Sequence, residues 1–125
     1  MKKHHLHIVI GWPNRALSPN ARCHWAIKRK ATVAARRESH FEAFQKMEGK
    51  RATPIGKIGV RLSFYPPDRR ARDEDNLIAS MKPSLDGIAD ALRVNDKSFH
   101  ILEPFVGSPV PGGCVHVDLY WKEEH

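Results

Sequence analysis

The sequence predicts a small α+β domain in which two main helices pack on a mixed β-sheet. Residues 57–65 alternate apolar and polar side chains, as a half-buried strand does. Residues 24–47 and 73–92 instead carry apolar side chains at helical spacing. The elements follow the order β, α, β, α, β, β, and a length of 125 residues suits one domain spanning positions 1–125.

The first half of the chain is expected to form a strand, a loop and a long basic helix. β-Branched residues favour a strand over 5–11, and the prolines and asparagines of 12–22 mark a loop. The apolar positions that recur at helical spacing in 24–47 are Ile27, Ala31, Ala34, Phe41 and Phe44. The cations that crowd the other faces of this helix are Lys28, Arg29, Lys30, Arg36 and Arg37.

The second helical stretch, 73–92, carries one continuous apolar stripe. Its members are Leu77, Met81, Leu85, Ile88 and Leu92. Either Asp75 or Asn76 can cap the start of this helix. Pro83 removes one backbone donor, so we expect a kink or a restarted helix there.

Three strands are expected in the second half of the chain. The strand over 57–65 ends at two consecutive prolines. Residues 99–106 and 114–121 have the composition of a closing pair of strands. The Pro- and Gly-rich segment 108–113 would connect them.

The charge of the chain is divided unevenly along its length. The chain has 21 Lys and Arg against 14 Asp and Glu, a net charge of +7. Residues 1–72 hold 17 basic and 4 acidic side chains, whereas residues 73–125 hold 4 basic and 10 acidic ones. A basic protein can be uneven without consequence. The alternative is a cationic surface for a polyanion beside a carboxylate cluster with another task.

The composition also excludes several classes of protein. No apolar run approaches the roughly 18 residues of a membrane span, and the apolar stretch near the basic N-terminus is too short for a signal peptide. Cys23 and Cys114 lie far apart without metal-ligand spacing. We therefore expect a cytoplasmic protein with reduced thiols and no membrane partner.

The segment 67–76 is the densest in chemistry, because three arginines are followed at once by three carboxylates. In an extended segment, residues two apart point the same way, so Asp73 and Asp75 can converge on one cation while Glu74 faces away. Mg²⁺ favours oxygen ligands of this kind. The alternative is a helix N-terminus whose acids favour the helix dipole, with the arginines as solvated neighbours.

A third carboxylate, Asp96, follows the second helix where the chain turns into the next strand. A straight helix would leave Asp96 at the far end from Asp73, whereas a break at Pro83, or a second subunit, would bring them together. Asp86 and Asp90 lie four apart on one helical face, and are either further candidates or part of a solvated helix surface. Sequence geometry alone leaves these alternatives open.

Histidines and aromatic residues form two further groups. Three N-terminal histidines have the chemistry of metal ligands, but solvated histidines on a strand edge explain them as well: His4, His5 and His7. Three aromatic residues suit either base stacking or packing in the core or a dimer interface: Trp12, Trp25 and Phe99.

Residues 66–99 resemble the RusA family of endodeoxyribonucleases, which are small dimeric Holliday-junction resolvases of bacteria, prophages and phages. The motifs that carry this resemblance are PDRRARDEDNL at 67–77, DAL at 90–92 and NDKSF at 95–99. The segment SPNARCHW at 18–25 is similar to the family's loop after its first strand. An arginine-rich lead into Asp-x-Asp-Asn-Leu, with an Asp ahead of a later strand, is a specific combination.

The resemblance implies that Asp73, Asp75 and Asp96 are catalytic and bind Mg²⁺, with Mn²⁺ as an alternative. These ions would activate water for attack on a phosphodiester. The family's catalytic lysine often follows the second aspartate by four residues, where this chain has Ala79. Lys82, three residues further on, is therefore assigned the phosphate-contacting or transition-state role.

Basic side chains around this motif are the predicted DNA contacts. The arginines beside the carboxylates would hold the backbone of the scissile strand, while the loop and the first helix would spread over neighbouring phosphates. The predicted nucleic-acid-binding residues are Arg69, Arg70, Arg72, Arg15, Arg22, Lys28 and Arg29.

The expected function is Mg²⁺-dependent cleavage of four-way DNA junctions by a homodimer, in recombination and repair; the dimer is implied by the resemblance alone. One alternative is a nuclease for flaps, forks or replication intermediates. Another is a DNA-binding module without turnover, because Ala79 and Asn95 depart from the family pattern. A third is a basic structural protein whose carboxylates only cap helices. Whether the site is completed across the dimer stays open.

Overall fold

The chain folds into a mixed five-stranded β-sheet with its helices packed on one face, as seen in a computed structural model that describes residues 2–123. The strands are β1 Lys2–Gly11, β2 Pro54–Tyr65, β3 Phe99–Ile101, β4 Phe105–Val106 and β5 Cys114–Glu123. The helices are α1 Trp25–Met47, α2 Glu74–Ser80 and α3 Lys82–Leu92, with 3₁₀ turns at Arg15–Leu17 and Asp96–Ser98. The predicted α+β class with a small mixed sheet is confirmed. No helix within residues 2–123 is both long and apolar enough to cross a membrane.

Strand β5 lies inside the sheet and pairs antiparallel with β1 on one side and with β2 on the other. Strands β3 and β4 pair with β2 in parallel. The predicted pairing of 99–106 with 114–121 is therefore wrong. The first of these segments is divided around Pro104, which has no backbone N–H for a ladder, and both of its pieces use the free edge of β2.

The core lies between the inner face of the sheet and α3. Alternate residues of β2 are fully buried, as the pattern of 57–65 predicts, and α3 covers them with the apolar stripe predicted for the second helix. The fully buried side chains lie in β2, in α3 and at the joint between α2 and α3. They include Ile58, Val60, Leu62, Phe64, Met81, Ile88 and Leu92. The carboxylate-rich α2–α3 region is thus fixed on the sheet by its apolar face.

The second helix restarts as predicted, although the break falls at Met81 rather than at the proline itself. Pro83 sits in the first turn of α3, where its missing N–H would lack a helical partner in any case. Asp73, not Asp75 or Asn76, caps α2, and its side chain accepts the Asn76 backbone N–H. The restart gives α3 a new first turn, which begins at Lys82.

Helix α1 packs on α3 through small residues. Of its predicted apolar stripe only Ala31 is buried, and it packs against the 3₁₀ turn at Arg15–Leu17. Its buried residues are Ala31, Ser39 and Ala43, whereas Ile27, Phe41 and Phe44 are exposed. The reason is the close approach of the two helices: Gly87 of α3 lies against the Arg36 carbonyl and the Ser39 hydroxyl. The Ser39 hydroxyl also donates to the Ser84 carbonyl at 2.6 Å.

Gly87→Ala is expected to lower the free energy of unfolding by about 1–3 kcal/mol, because a Cβ there would overlap Arg36 and Ser39. This loss should outweigh the roughly 1 kcal/mol that alanine gains over glycine inside a helix. Urea unfolding measures it. Gly59→Ala is the matched control, since its Cβ would make ordinary contact with Leu102 at 3.6 Å. A Gly87→Ala protein as stable as the wild type would contradict this helix packing.

Candidate active site

A charged groove of about 360 Å³ lies beside α3. The Lys82 ammonium donates to Asp86 Oδ1 at 2.8 Å and also to Asp96 Oδ2. Lys82 and Asp86 meet because they are four residues apart on one helix, whereas Asp96 reaches the ammonium from beyond the end of α3. The groove is lined by Arg36, Lys82, Asp86, Ala89, Asp90, Val94, Asn95 and Asp96.

The turn after α3 carries Asp96 back toward Lys82. Arg93 adopts the left-handed conformation (φ 58°) that commonly ends a helix, and the Val94 N–H donates to the Ala89 carbonyl. The Asn95 side chain then accepts the Lys97 backbone N–H at 2.9 Å. Asn95 therefore acts as the backbone cap of the turn that carries Asp96.

The hydrogen bonds around Lys82 favour the charged forms of Lys82 and Asp96. Hydrogen bonds from Lys82 to Asp86 and then to Asp96 raise the pKa of the lysine. The hydrogen bond from Lys82 lowers the pKa of Asp96. An ammonium thus lies between two carboxylate side chains at the surface of α3, in a groove open to solvent.

The lowered pKa of Asp96 predicts an acid-dependent stability difference between the wild type and Asp96→Asn. A carboxyl whose folded pKa is depressed stabilises the fold above its ordinary value of 3.8, and this contribution is lost as the pH falls through the folded value. The advantage of the wild type should therefore shrink as the pH drops below about 4, as measured by urea unfolding.

Lys82→Met supplies the control for this pH dependence. Because the pKa of Lys82 is raised in the folded protein, the lysine stabilises the fold below its ordinary value of 10.5. This stabilisation is lost only as the pH rises through the folded pKa, so it does not change with pH in the acid range. Asp96→Asn should cause a much smaller pH-dependent stability difference in the Lys82→Met protein than in the wild type, because Lys82 is the main cause of the lowered Asp96 pKa. An undiminished pH-dependent difference in the Lys82→Met protein would show that a group other than Lys82 lowers the pKa of Asp96.

A second ion pair forms the wall of the groove. Arg36 of α1 donates from Nε to Asp90 Oδ2 at 2.9 Å and from its terminal nitrogen to the same oxygen. The hydrogen bond to Asp90 raises the pKa of the guanidinium. Because these residues are 54 positions apart, no local pattern in the sequence indicates the pair. This ion pair places the Arg36 guanidinium of α1 beside the groove that runs along α3.

Asp73 and Asp75 lie at the start of α2, outside the contacts described for Lys82. The expectation of an extended segment that points both the same way is wrong, because Asp73 is the N-cap and Asp75 is in the first helical turn. Asp73 accepts the Asn76 N–H at 3.2 Å. Both aspartates are exposed, and neither forms a salt bridge with any residue in the range 2–123.

Residues 2–123 contain no group of three or more His, Cys, Asp or Glu side chains arranged to hold a metal ion. Within this part of a single chain, Asp73, Asp75 and Asp96 are therefore not assembled as a three-carboxylate site. The structure instead brings Lys82 and Asp96 together with Asp86. The three-aspartate metal set remains a prediction.

The arginine segment before α2 is organised by Asp68. Its carboxylate accepts the Arg70 backbone N–H and the Arg72 guanidinium, each at 2.9 Å, and these bonds lower its pKa, the Arg70 bond most. Arg72 also donates to two backbone carbonyls and lies over the Trp12 ring, 5.2 Å from its centre. Arg72 is thus a structural clamp, while Arg69 and Arg70 are exposed to solvent.

The remaining predicted DNA contacts lie on a loop and on α1. Arg15 and Arg22 line a groove of about 540 Å³ together with Asn14 and Asn20. Lys28 and Arg29 are exposed in the first turns of α1, which begins at an exposed tryptophan. All four cations are therefore accessible to a polyanion.

Asp68 and Arg36 have roles in the structure that were not predicted from the sequence, and Asp86 has a role that the sequence left open. Asp68 organises its turn by accepting the backbone N–H of Arg70. An aspartate that bonds the backbone two residues later is a common feature of turns. Asp86 was one of two open candidates, and its spacing of four from Lys82 was the available clue. The role of Arg36 depends on tertiary packing alone.

Comparison with known proteins leaves the family undetermined. No family model matches the chain. An uncharacterized protein of Xylella fastidiosa is 41% identical over 93 residues, which cover 74% of this chain. The matched region spans only 61% of the Xylella protein. This similarity identifies a bacterial relative and carries no statement of activity.

Proposed function

We propose that the protein is a Mg²⁺-dependent endonuclease that cuts branched DNA, four-way junctions above all. The observation that supports this most is the contact between Lys82 and Asp96, which lie 14 residues apart. The resemblance to the RusA family assigns Asp96 to the catalytic set, and Lys82 is the proposed replacement for the family's lysine, whose position holds Ala79. Their meeting in one solvent-open groove is what a shared catalytic role requires.

The groove has donor chemistry that suits Mg²⁺. Mg²⁺ is commonly held by one or two carboxylates together with waters and substrate phosphates. Asp86 and Asp96 provide two such carboxylates, and both now contact a cation, the Lys82 ammonium. In the proposal these two side chains hold the ion, with Asp73 and Asp75 as the further predicted ligands. When bound, Mg²⁺ would activate water and offset the charge that builds on the phosphate.

The surrounding cations would bind and orient the DNA. Lys82, which now contacts the two carboxylates, would be released by the ion and would then stabilise the negative charge of a phosphate bound in the same groove. Arg69 and Arg70 are exposed and would hold the backbone on either side. Arg15, Arg22, Lys28 and Arg29 would contact phosphates further along the substrate.

The resemblance further suggests a homodimer working in the cytoplasm of a bacterium or of a phage-infected cell. Two active sites related by a two-fold axis suit paired nicks in strands of like polarity. A second subunit is also one way to complete a site in which a single chain gathers two carboxylates around Lys82.

A DNA-binding protein without turnover is the second candidate. It is favoured by the absence, within residues 2–123, of a three-ligand metal group, and by Ala79 at the family's lysine position. In this alternative the Lys82 ion pairs only stabilise the surface of α3. The cationic residues would then bind branched DNA without cutting it.

A comparison of substrates separates these functions. The wild-type protein is incubated with labelled four-way junction, flap, fork and linear duplex, in Mg²⁺, in Mn²⁺ and in EDTA. We expect junction cleavage in Mg²⁺ that EDTA abolishes. Preferred cleavage of flaps or forks would replace the junction assignment, and binding without cleavage in either ion would support the module without turnover.

A further inference from the structure

The sheet face opposite the helices is cationic and aromatic. Inward-facing residues of β1, β2 and β5 form the core, so their neighbours in sequence point to the open face. The pairing register places His5 beside Tyr120, His7 beside Asp118, and Asp118 beside Arg61. Asp118 is the only acid among the outward-facing residues of these three described strands, and it accepts a hydrogen bond from His5 at 2.7 Å.

One end of this face forms a groove of about 300 Å³ around a tyrosine. Tyr120 is 40% exposed, and its ring stacks on His5 with 4.6 Å between ring centres and planes 4° apart. Three lysines line the same groove: Lys3, Lys57 and Lys122. An accessible aromatic face surrounded by ammonium groups matches the two parts of a nucleotide, a flat base and a phosphate.

The aromatic surface continues along the sheet away from this groove. His7 and His116 are joined by a 2.9 Å hydrogen bond between their rings. Tyr65 meets His116 edge-on at 5.0 Å and Phe105, which is 52% exposed, at 6.1 Å. Successive rings along a sheet can accept successive bases of a strand, as in other sheet platforms for single strands.

We propose that this open face binds a single strand of nucleic acid, with a base on Tyr120 and phosphates on Lys3, Lys57 and Lys122. The charge of the face selects a polyanion, and its exposed rings favour unpaired bases, whose flat faces a duplex keeps stacked. Because α3 covers the other side of the sheet, this surface is separate from the Lys82 groove. It would bind an unpaired strand whether or not that groove cleaves DNA.

The test is fluorescence anisotropy of labelled oligothymidylate, 20 nucleotides long, with full-length protein in EDTA. Tyr120→Ala should weaken binding by about 5- to 100-fold, and Tyr120→Phe should restore most of it, because the stacking ring returns. Lys57→Glu should also weaken binding and reduce the dependence on salt concentration. Neither Tyr120→Ala nor Tyr120→Phe should change the affinity for a duplex of the same length by more than about twofold, since a duplex keeps its base faces stacked.

Lys46→Glu makes the same charge change as Lys57→Glu in the last turn of α1, away from this face, and should bind oligothymidylate nearly as well as the wild type. Circular dichroism checks the folding of each variant. An equal loss in Lys46→Glu and Lys57→Glu would overturn the proposal in favour of unspecific attraction. Unchanged binding of oligothymidylate by Tyr120→Ala would overturn the proposal. If size-exclusion chromatography then showed that Tyr120→Ala changes the oligomeric state, the face would be a protein interface. Because the assay contains EDTA and no four-way junction, its outcome does not depend on whether the Lys82 groove cleaves DNA, which separates this proposal from the proposed nuclease function.

Discussion

Asp96→Asn is expected to reduce junction cleavage by about 100-fold or more, while binding of the junction in EDTA is preserved. The substitution keeps the shape of the side chain but removes the negative charge that contacts Lys82. An amide cannot replace a carboxylate in holding Mg²⁺ and the ammonium together. Since the pair is exposed, its loss should cost little stability, too little to unfold the protein.

Single-turnover cleavage of labelled junction measures this effect, with a binding assay in EDTA beside it. Glu103→Gln is the control, because it removes one exposed negative charge from the segment between β3 and β4. It should cleave at the wild-type rate. Asp96→Asn with normal cleavage would remove Asp96 from the catalytic set, and equal loss of binding would make its role structural.

Lys82→Ala is expected to lower the maximal cleavage rate by about 100-fold and, at the same time, to lower the Mg²⁺ concentration needed for half-maximal rate. The rate falls because a cation that would stabilise the phosphate is removed. The Mg²⁺ requirement falls because the ammonium no longer competes for Asp86 and Asp96. A residue that merely supported the fold would not combine a lower rate with a lower Mg²⁺ requirement.

Titration of Mg²⁺ in the cleavage assay resolves the two effects of Lys82→Ala. Lys97→Ala is the matched control, since Lys97 is an exposed lysine in the same turn as Asp96 and forms no ion pair with another residue of 2–123. A wild-type rate in Lys82→Ala would show that this lysine is not the counterpart of the family's lysine. An increased Mg²⁺ requirement would contradict the competition.

The periodic elements could be predicted from sequence because their side-chain patterns follow directly from burial. Strand β2 alternates because one face is buried, and the stripe of α3 repeats because it covers that face. The apolar pattern of α1 misled because Gly87 allows a closer helix contact, which buries Ala43 and leaves Phe41 and Phe44 exposed. A glycine on one helix that sets the packing of another is not visible in either pattern.

The part of the candidate site that depends on helix spacing could be predicted from the sequence, and the part that depends on a turn could not. Lys82 and Asp86 are neighbours by helix geometry, so their contact follows from spacing. The return of Asp96 depends on a left-handed Arg93 and on the Asn95 cap, which no periodicity describes. The prediction that Asp73 and Asp75 point the same way was wrong, because it assumed an extended backbone at residues where the first turn of α2 forms.

Cleavage of a four-way junction labelled on each strand in turn is the most direct test of the proposed function. We predict paired nicks in two strands of like polarity with wild-type protein and Mg²⁺, and intact junction in EDTA or with Asp96→Asn. A junction that is bound by the wild type in Mg²⁺ or Mn²⁺ and remains uncut would contradict the proposed function.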